Sequence, residues 1–241
     1  MKTNKYLHDT FVHNTRAAER IVPFLTGLFK PASIIDVGCG TGTWLKIFLD
    51  QGIPVVKGIE GPHLDVSKLV IPADLVLLQD LEQPILLNEK FDMAISLEVA
   101  EHLNVAVAEQ FIRQLTAMSD VVVFSAAIPY QGGQNHINEQ WLGYWVGLFR
   151  KSGFIPHDII RPKFWDDEDV EFWYKQNCCI FINENHPVEG LSQLPDLHCM
   201  DIVHPDLLSK LGAYRDRMWK GDLPMASLAK LLVKKAMNMF K

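Results

Sequence analysis

Cysteine is scarce in this chain of 241 residues, and its four cysteines, Cys39, Cys178, Cys179 and Cys199, form no CxxC pair. That excludes the usual zinc-finger and thioredoxin-like spacings, and vicinal Cys178-Cys179 in an apolar run reads as a strand rather than a disulfide. Reduced, structural thiols are expected. A basic excess is missing too: the formal net charge is −6, which argues against a nucleic-acid binder because phosphate contacts call for a basic surface. No run approaches the roughly 20 apolar residues of a membrane-spanning helix, and residues 1–20 hold no apolar core of signal-peptide length. A cytosolic protein is expected. Internal repeats and low-complexity tracts are also absent.

What is present is an alternation of strands and helices. Ile21, Phe24, Leu25 and Leu28 follow helical spacing and predict an amphipathic helix over residues 14–29, ahead of Pro31. Seven strands are expected, at 33–37, 54–60, 74–79, 91–97, 120–126, 153–160 and 177–183. Helices are expected after the first five, at 43–51, 63–69, 84–88, 104–118 and 139–152. Short apolar strands separated by helices imply an α/β fold, a doubly wound and mostly parallel sheet covered on both faces. One domain over residues 1–183 follows, then a loop at 184–204 and a helical extension through 205–241.

The segment "IIDVGCGTGTW", Ile34 to Trp44, carries the first functional signal. In a doubly wound sheet the ligand lies beyond the carboxyl ends of the strands, and a glycine turn after the first strand lets backbone approach it. A dinucleotide turn needs GxGxxG, yet the third glycine position is Thr43. The spacing is GxGxG at Gly38, Gly40 and Gly42, with Asp36 two residues ahead and Cys39 between the first two glycines.

This pattern resembles the glycine-rich motif of class I S-adenosylmethionine-dependent methyltransferases. Further positions match in order. Glu60 ends the second strand, where the family's acid accepts hydrogen bonds from both ribose hydroxyls. Asp80 and Leu81 follow the third strand, where an acid meets the adenine amine and an apolar neighbour covers the ring. "FDMAISLEVAEHL" resembles the family's fourth-strand motif, with Leu97 at its end on the cofactor side. The resemblance spans residues 30–183. It implies a Rossmann-like sheet of seven strands with the last antiparallel, S-adenosyl-L-methionine as cofactor, and methyl transfer to a nucleophile. Taken singly, Asp36 reads equally as a helix-capping acid, Glu60 as a loop acid and Asp80 as a turn former.

Glu98, Glu101 and His102 stand at i, i+3 and i+4, so a helix starting at "LEVAEHL" would put them on one face. His136 follows on the glycine-containing loop "IPYQGGQNHINEQW". Two carboxylates and two imidazoles suit Mg²⁺, Mn²⁺ or Zn²⁺, and ExxEH with a later loop histidine resembles the metal site of small-RNA 2′-O-methyltransferases and ubiquinone-pathway O-methyltransferases. "EHL" also occurs in metal-free methyltransferases as a cap or pocket wall. Without a metal, His136 or His102 becomes the candidate general base.

The sequence reading is therefore an O-methyltransferase acting on a hydroxyl of a sugar, glycan or similar polar metabolite. The loop and helix over 132–154 also resemble methyltransferases of bacterial cell-surface glycan pathways. Transfer to an RNA ribose and a non-catalytic partner protein are the alternatives. Trp141, Tyr144, Trp145 and Leu148 repeat at helical spacing, as core or, for one of them, as a sugar-stacking platform. The acids at 166–169 read as a solvated loop, and His198, Cys199 and His204 as loop residues. Residues 226–241 combine Leu228, Leu231, Leu232 and Met239 with Lys230, Lys234, Lys235 and Lys241. That segment would dock on the protein or on a second subunit, or contact an anionic membrane surface. Composition leaves the oligomeric state open.

Overall fold

In the computed structural model, residues 14–188, 191, 200–220 and 222 are described. The chain divides into two compact units, one ending at Ile202 and the other starting at Val203. In the first, helix α1 (Arg16–Phe29) buries Ile21, Val22 and Leu25 and ends where Lys30 turns left-handed, its amide donating to the Thr26 carbonyl. Strand β1 (Ser33–Val37) leads through the glycine turn to α2 (Thr43–Asp50). There follow β2 (Val55–Glu60), β3 (Val76–Leu78) and β4 (Met93–Leu97). Helix α3 (Ala108–Met118) precedes β5 (Val121–Ser125), and α4 (Leu142–Lys151) precedes β6 (Phe154–His157). Two short helices, α5 (Ile160–Phe164) and α6 (Phe172–Asn177), lead to β7 (Cys179–Asn183). The second unit contains α7 (Pro205–Lys220).

The seven strands form one sheet in the order β3-β2-β1-β4-β5-β7-β6. β7 lies between β5 and β6 and is antiparallel to both; the other pairs are parallel. The expected doubly wound sheet with an antiparallel last strand is thus present. Side-chain alternation divides the core between its faces. Ile35, Val37, Ala94, Val122 and Phe124 pack toward α3 and α4. Ile34, Met93, Ile95 and Val123 pack toward α1 and α2.

The structure corrects several expected elements. Residues 84–88 are not helical, and 63–69 contain only a 3₁₀ turn, Val66–Lys68, whose N-cap Asp65 accepts from Ser67. Residues 177 and 178 precede β7 as the end of α6 and its cap, because Cys178 donates its amide to Tyr174. Asp74 lies in a 3₁₀ turn, and Ile160 opens α5 instead of ending β6. No described helix is long and apolar enough to cross a membrane. The segment 226–241, with Cys199 and His198, lies outside the described residues.

Candidate active site

The carboxyl ends of β1, β2 and β4 meet at one rim because the register pairs Val37 with Ile59 and Asp36 with Ile95. A cleft of about 750 Å³ opens there, lined by Asp36, Gly38, Cys39, Gly40, Glu60, Asp80, Leu81 and Leu97 among others. The amides of Gly38 and Cys39 both donate to the Ile59 carbonyl, at 2.7 and 3.1 Å, tying the turn to β2. Gly38 has φ +87°, and a Cβ there would come within 2.3 Å of Val99. A side chain would therefore displace Val99, itself part of the cleft wall. Gly42 plays another part: with φ +83° it caps α2, a Cβ would strike Ile71, and it is not on the cleft wall.

Glu60 is buried and closes the turn from the other side. Its Oε2 accepts from the Gly40 amide and its Oε1 from the Gly61 amide, both at 2.7 Å. Each oxygen retains a second lone pair, so the carboxylate can still accept from a ligand hydroxyl. Burial raises its pKa, tempered by those two amides. Asp36, also buried, is held well above the usual carboxylate range by desolvation and then by the Glu60 charge. Burial likewise raises the Cys39 thiol, which stays protonated as a wall residue. Asp80 lies beyond β3 in a turn where Oδ1 accepts from Glu82 at 3.0 Å. A glycine turn open to a cleft, with acids at the ends of two adjacent strands, fits an adenosyl sulfonium ligand.

The rim above β4 departs from the sequence expectation. "LEVAEHL" does not begin an α-helix: only Ala100–His102 is helical, as one 3₁₀ turn. Glu98 precedes it with φ +56°, so the i, i+3, i+4 argument does not place Glu98 beside the others. Its Oε2 accepts from Gln131 Nε2 at 2.7 Å and its Oε1 from Asn177 Nδ2 at 3.0 Å. Desolvation raises its pKa to about 7, with the amide groups of Asn177 and Gln131 opposing.

Glu101, His102 and His136 do converge, their ligand atoms all within 4.8 Å of one another. That is close to the separation of two ligands on opposite sides of one ion, roughly 4 to 4.5 Å. The imidazoles meet edge to face at 4.9 Å between centroids. Glu101 is fully buried, and among the described residues no hydrogen bond of ordinary length and angle reaches either of its oxygens, although the backbone amides of Glu101 and Ala127 lie near enough to temper its charge; His136 Nε2 stands 4.0 Å from Oε1. Desolvation and then the Glu98 charge raise its pKa well above the ordinary range. A buried carboxylate with no well-formed hydrogen bond, facing two imidazoles, suits a divalent cation.

Sequence reasoning missed α6, whose Trp173 and Tyr174 line the cleft, and the amide network of Gln131, Gln176 and Asn177 behind Glu98. The run "FWYKQN" was the available signal for α6, but six residues are too few for periodicity to declare a helix. Of the helix after β5, Trp145 and Leu148 are core, while Tyr144 is half-buried and Trp141 is exposed.

Fold and cleft together define a Rossmann-like, S-adenosylmethionine-dependent methyltransferase. A family model described as a methyltransferase domain matches residues 6–160, and the chain belongs to that family. No curated sequence matches. Among solved structures, the chain is similar to KedS8, a sugar N-methyltransferase from Streptoalloteichus sp., with TM-score 0.57, 14% identity and coverage of 76% of this chain and 95% of that one. It is also similar to CalS10, an amino pentose methyltransferase from Micromonospora echinaspora (TM-score 0.51, 15% identity, 76% and 100% covered). A third is the methyltransferase domain of bacterial CtHen1 (TM-score 0.51, 17% identity, 69% and 97% covered). At these identities the likeness establishes the fold.

Proposed function

We propose that this enzyme is a cytosolic O-methyltransferase for a hydroxyl of a sugar, glycan or similar polar metabolite, and that Glu101, His102 and His136 hold a divalent cation beside the acceptor. The observation that carries it is the convergence of Glu101, a buried carboxylate with no well-formed hydrogen bond among the described residues, with two imidazoles. A neutral amine is nucleophilic as it stands, whereas an alcohol becomes strongly so only on losing its proton. A buried carboxylate-imidazole centre at the rim therefore favours oxygen over nitrogen.

Gly38 and Gly40 receive the methionine portion of the cofactor, Glu60 the ribose, and Asp80 with Leu81 the adenine. S-adenosylmethionine supplies an electrophilic sulfonium methyl group. A cation on the three ligands supplies Lewis acidity that lowers the pKa of the acceptor hydroxyl. The protein's own contribution is orientation and dryness: Trp173, Tyr174 and Val99 wall the cleft, and holding the acceptor in line can supply about 7 kcal/mol or more of barrier lowering. Among the described residues no Lys or Arg lines the cleft, which carries Asp36, Glu60, Asp80, Glu82 and Glu98. That favours a hydroxyl-rich acceptor over a phosphate-rich one. KedS8, a sugar N-methyltransferase, and CalS10, an amino pentose methyltransferase, agree with a sugar as acceptor and give no support to oxygen as the methylated atom.

The test is calorimetric titration with MnCl₂, followed by transfer of labelled methyl to neutral glycosides, sugar nucleotides and oligosaccharides with and without EDTA. We expect one Mn²⁺ site and label on oxygen, abolished by EDTA and restored by Mg²⁺, Mn²⁺ or Zn²⁺. Glu101→Gln should lose the ion, while Glu98→Gln should keep it. Full activity of metal-stripped enzyme would remove the metal and leave His136 or His102 as base. Label on nitrogen would sink the hydroxyl acceptor.

A further inference from the structure

We propose that Glu139 is a positioning residue of this centre, fixing His136 in the tautomer that presents Nε2 to the cation; the inference rests on the metal reading above. His136 Nδ1 lies 2.9 Å from Glu139 Oε1. A carboxylate only accepts, so Nδ1 carries the proton. In the neutral ring Nε2 is then left with its lone pair, and Nε2 is the atom that faces Glu101 Oε1 at 4.0 Å. Carboxylates behind ligating histidines set ring orientation and basicity in this way.

Glu139 is itself held in place. Its Oε1 also accepts from the Gly132 amide and its Oε2 from the Tyr130 amide, both at 2.9 Å. Those amides sit in a loop with three left-handed residues, Tyr130, Gly132 and Asn135. At Tyr130, with φ +72°, that conformation is costly and persists only when something fixes it, and Glu139 Oε2 holds its amide. The loop adds two anchors of its own, the amides of Ile137 and Asn138, which both donate to the Glu101 carbonyl at 2.9 and 3.0 Å. Glu139 thus couples the fold of the loop to the orientation of one imidazole, and the loop is tied to the residue that supplies the carboxylate.

A purely structural Glu139 would hold the loop without setting the tautomer, so the tautomer is the deciding readout. Multiple-bond ¹⁵N correlation spectra of the metal-free, full-length protein report it, with His136 assigned by the signals lost in His136→Ala. We expect the Nδ1–H form in the wild type and a shift toward Nε2–H in Glu139→Gln, whose amide can donate to Nδ1. Calorimetry with MnCl₂ alone should show affinity lower by about 10- to 100-fold in Glu139→Gln, with S-adenosylmethionine affinity unchanged. An Nε2–H wild type that still binds Mn²⁺ overturns the proposal and leaves the metal reading standing, as does wild-type Mn²⁺ affinity in Glu139→Gln. A wild type that binds no divalent cation while His136 is Nδ1–H sinks the metal reading and, with it, the role of Glu139 toward a cation.

Discussion

Asp36 shows at the scale of one residue what a ligand site costs its fold. An unfolded aspartate titrates near pH 3.9, but burial and the neighbouring Glu60 charge raise the folded value well above that. The fold therefore binds the proton more tightly than the unfolded chain. Its contribution to stability is complete below about pH 4 and is lost as pH rises through the raised folded value. Asparagine has the same shape and carries no charge. Melting of the cofactor-free protein should thus give Asp36→Asn a higher midpoint than wild type at pH 8, with the two converging below about pH 4. Equal midpoints at both pH values would show that Asp36 is not desolvated. At this scale the sequence was informative for the cofactor side, since the GxGxG spacing and the acids at strand ends are local features. It was misleading for Glu98, because its place depends on a left-handed backbone turn and on amides contributed by Gln131 and Asn177, 33 and 79 residues away.

Strands made of short, mostly apolar runs were legible as elements: "SIIDV", "MAISL" and "VVVFS" bury nearly every side chain. Short helices were not, because five or six residues hold too few repeats of 3.6 to distinguish them from strand or loop. The loop after β5 was legible only as a loop, although it is the element that organises the rim. Gln131 is its hub: Nε2 donates to Glu98, while Oε1 accepts from Asn177 at 2.9 Å and from Gln176 at 3.3 Å. Gln131→Leu keeps much of the volume and removes every one of these bonds. Because both amides are buried and Glu98 is half-buried, each buried group left unpaired costs about 1–3 kcal/mol. The variant should lose stability of that order in urea unfolding, and amide exchange should accelerate across residues 128–139 while α3 keeps its protection. Unchanged exchange in the loop would mean that the two amides donating to the Glu101 carbonyl suffice to hold it.

For the whole molecule, charge separates sugar from RNA as acceptor. A protein that neutralises several phosphates needs Lys and Arg where the strand lies, and its affinity then falls steeply with salt. Here the net charge is −6, and among the described residues the wall of the cleft offers five acidic side chains and no basic one other than His63 and His102. A divalent cation on Glu101, His102 and His136 would offset part of that field at one end only. The lysines at 230, 234, 235 and 241 lie outside the described residues, so the comparison requires the full chain. With Mn²⁺ present, a small-RNA duplex should show no saturable gel retention at about 50 mM salt, where electrostatic binding is strongest. It should likewise accept no labelled methyl group under conditions that methylate a neutral glycan. Tight retention that weakens steeply as salt rises, together with label on a ribose, would move the acceptor class from sugar to RNA.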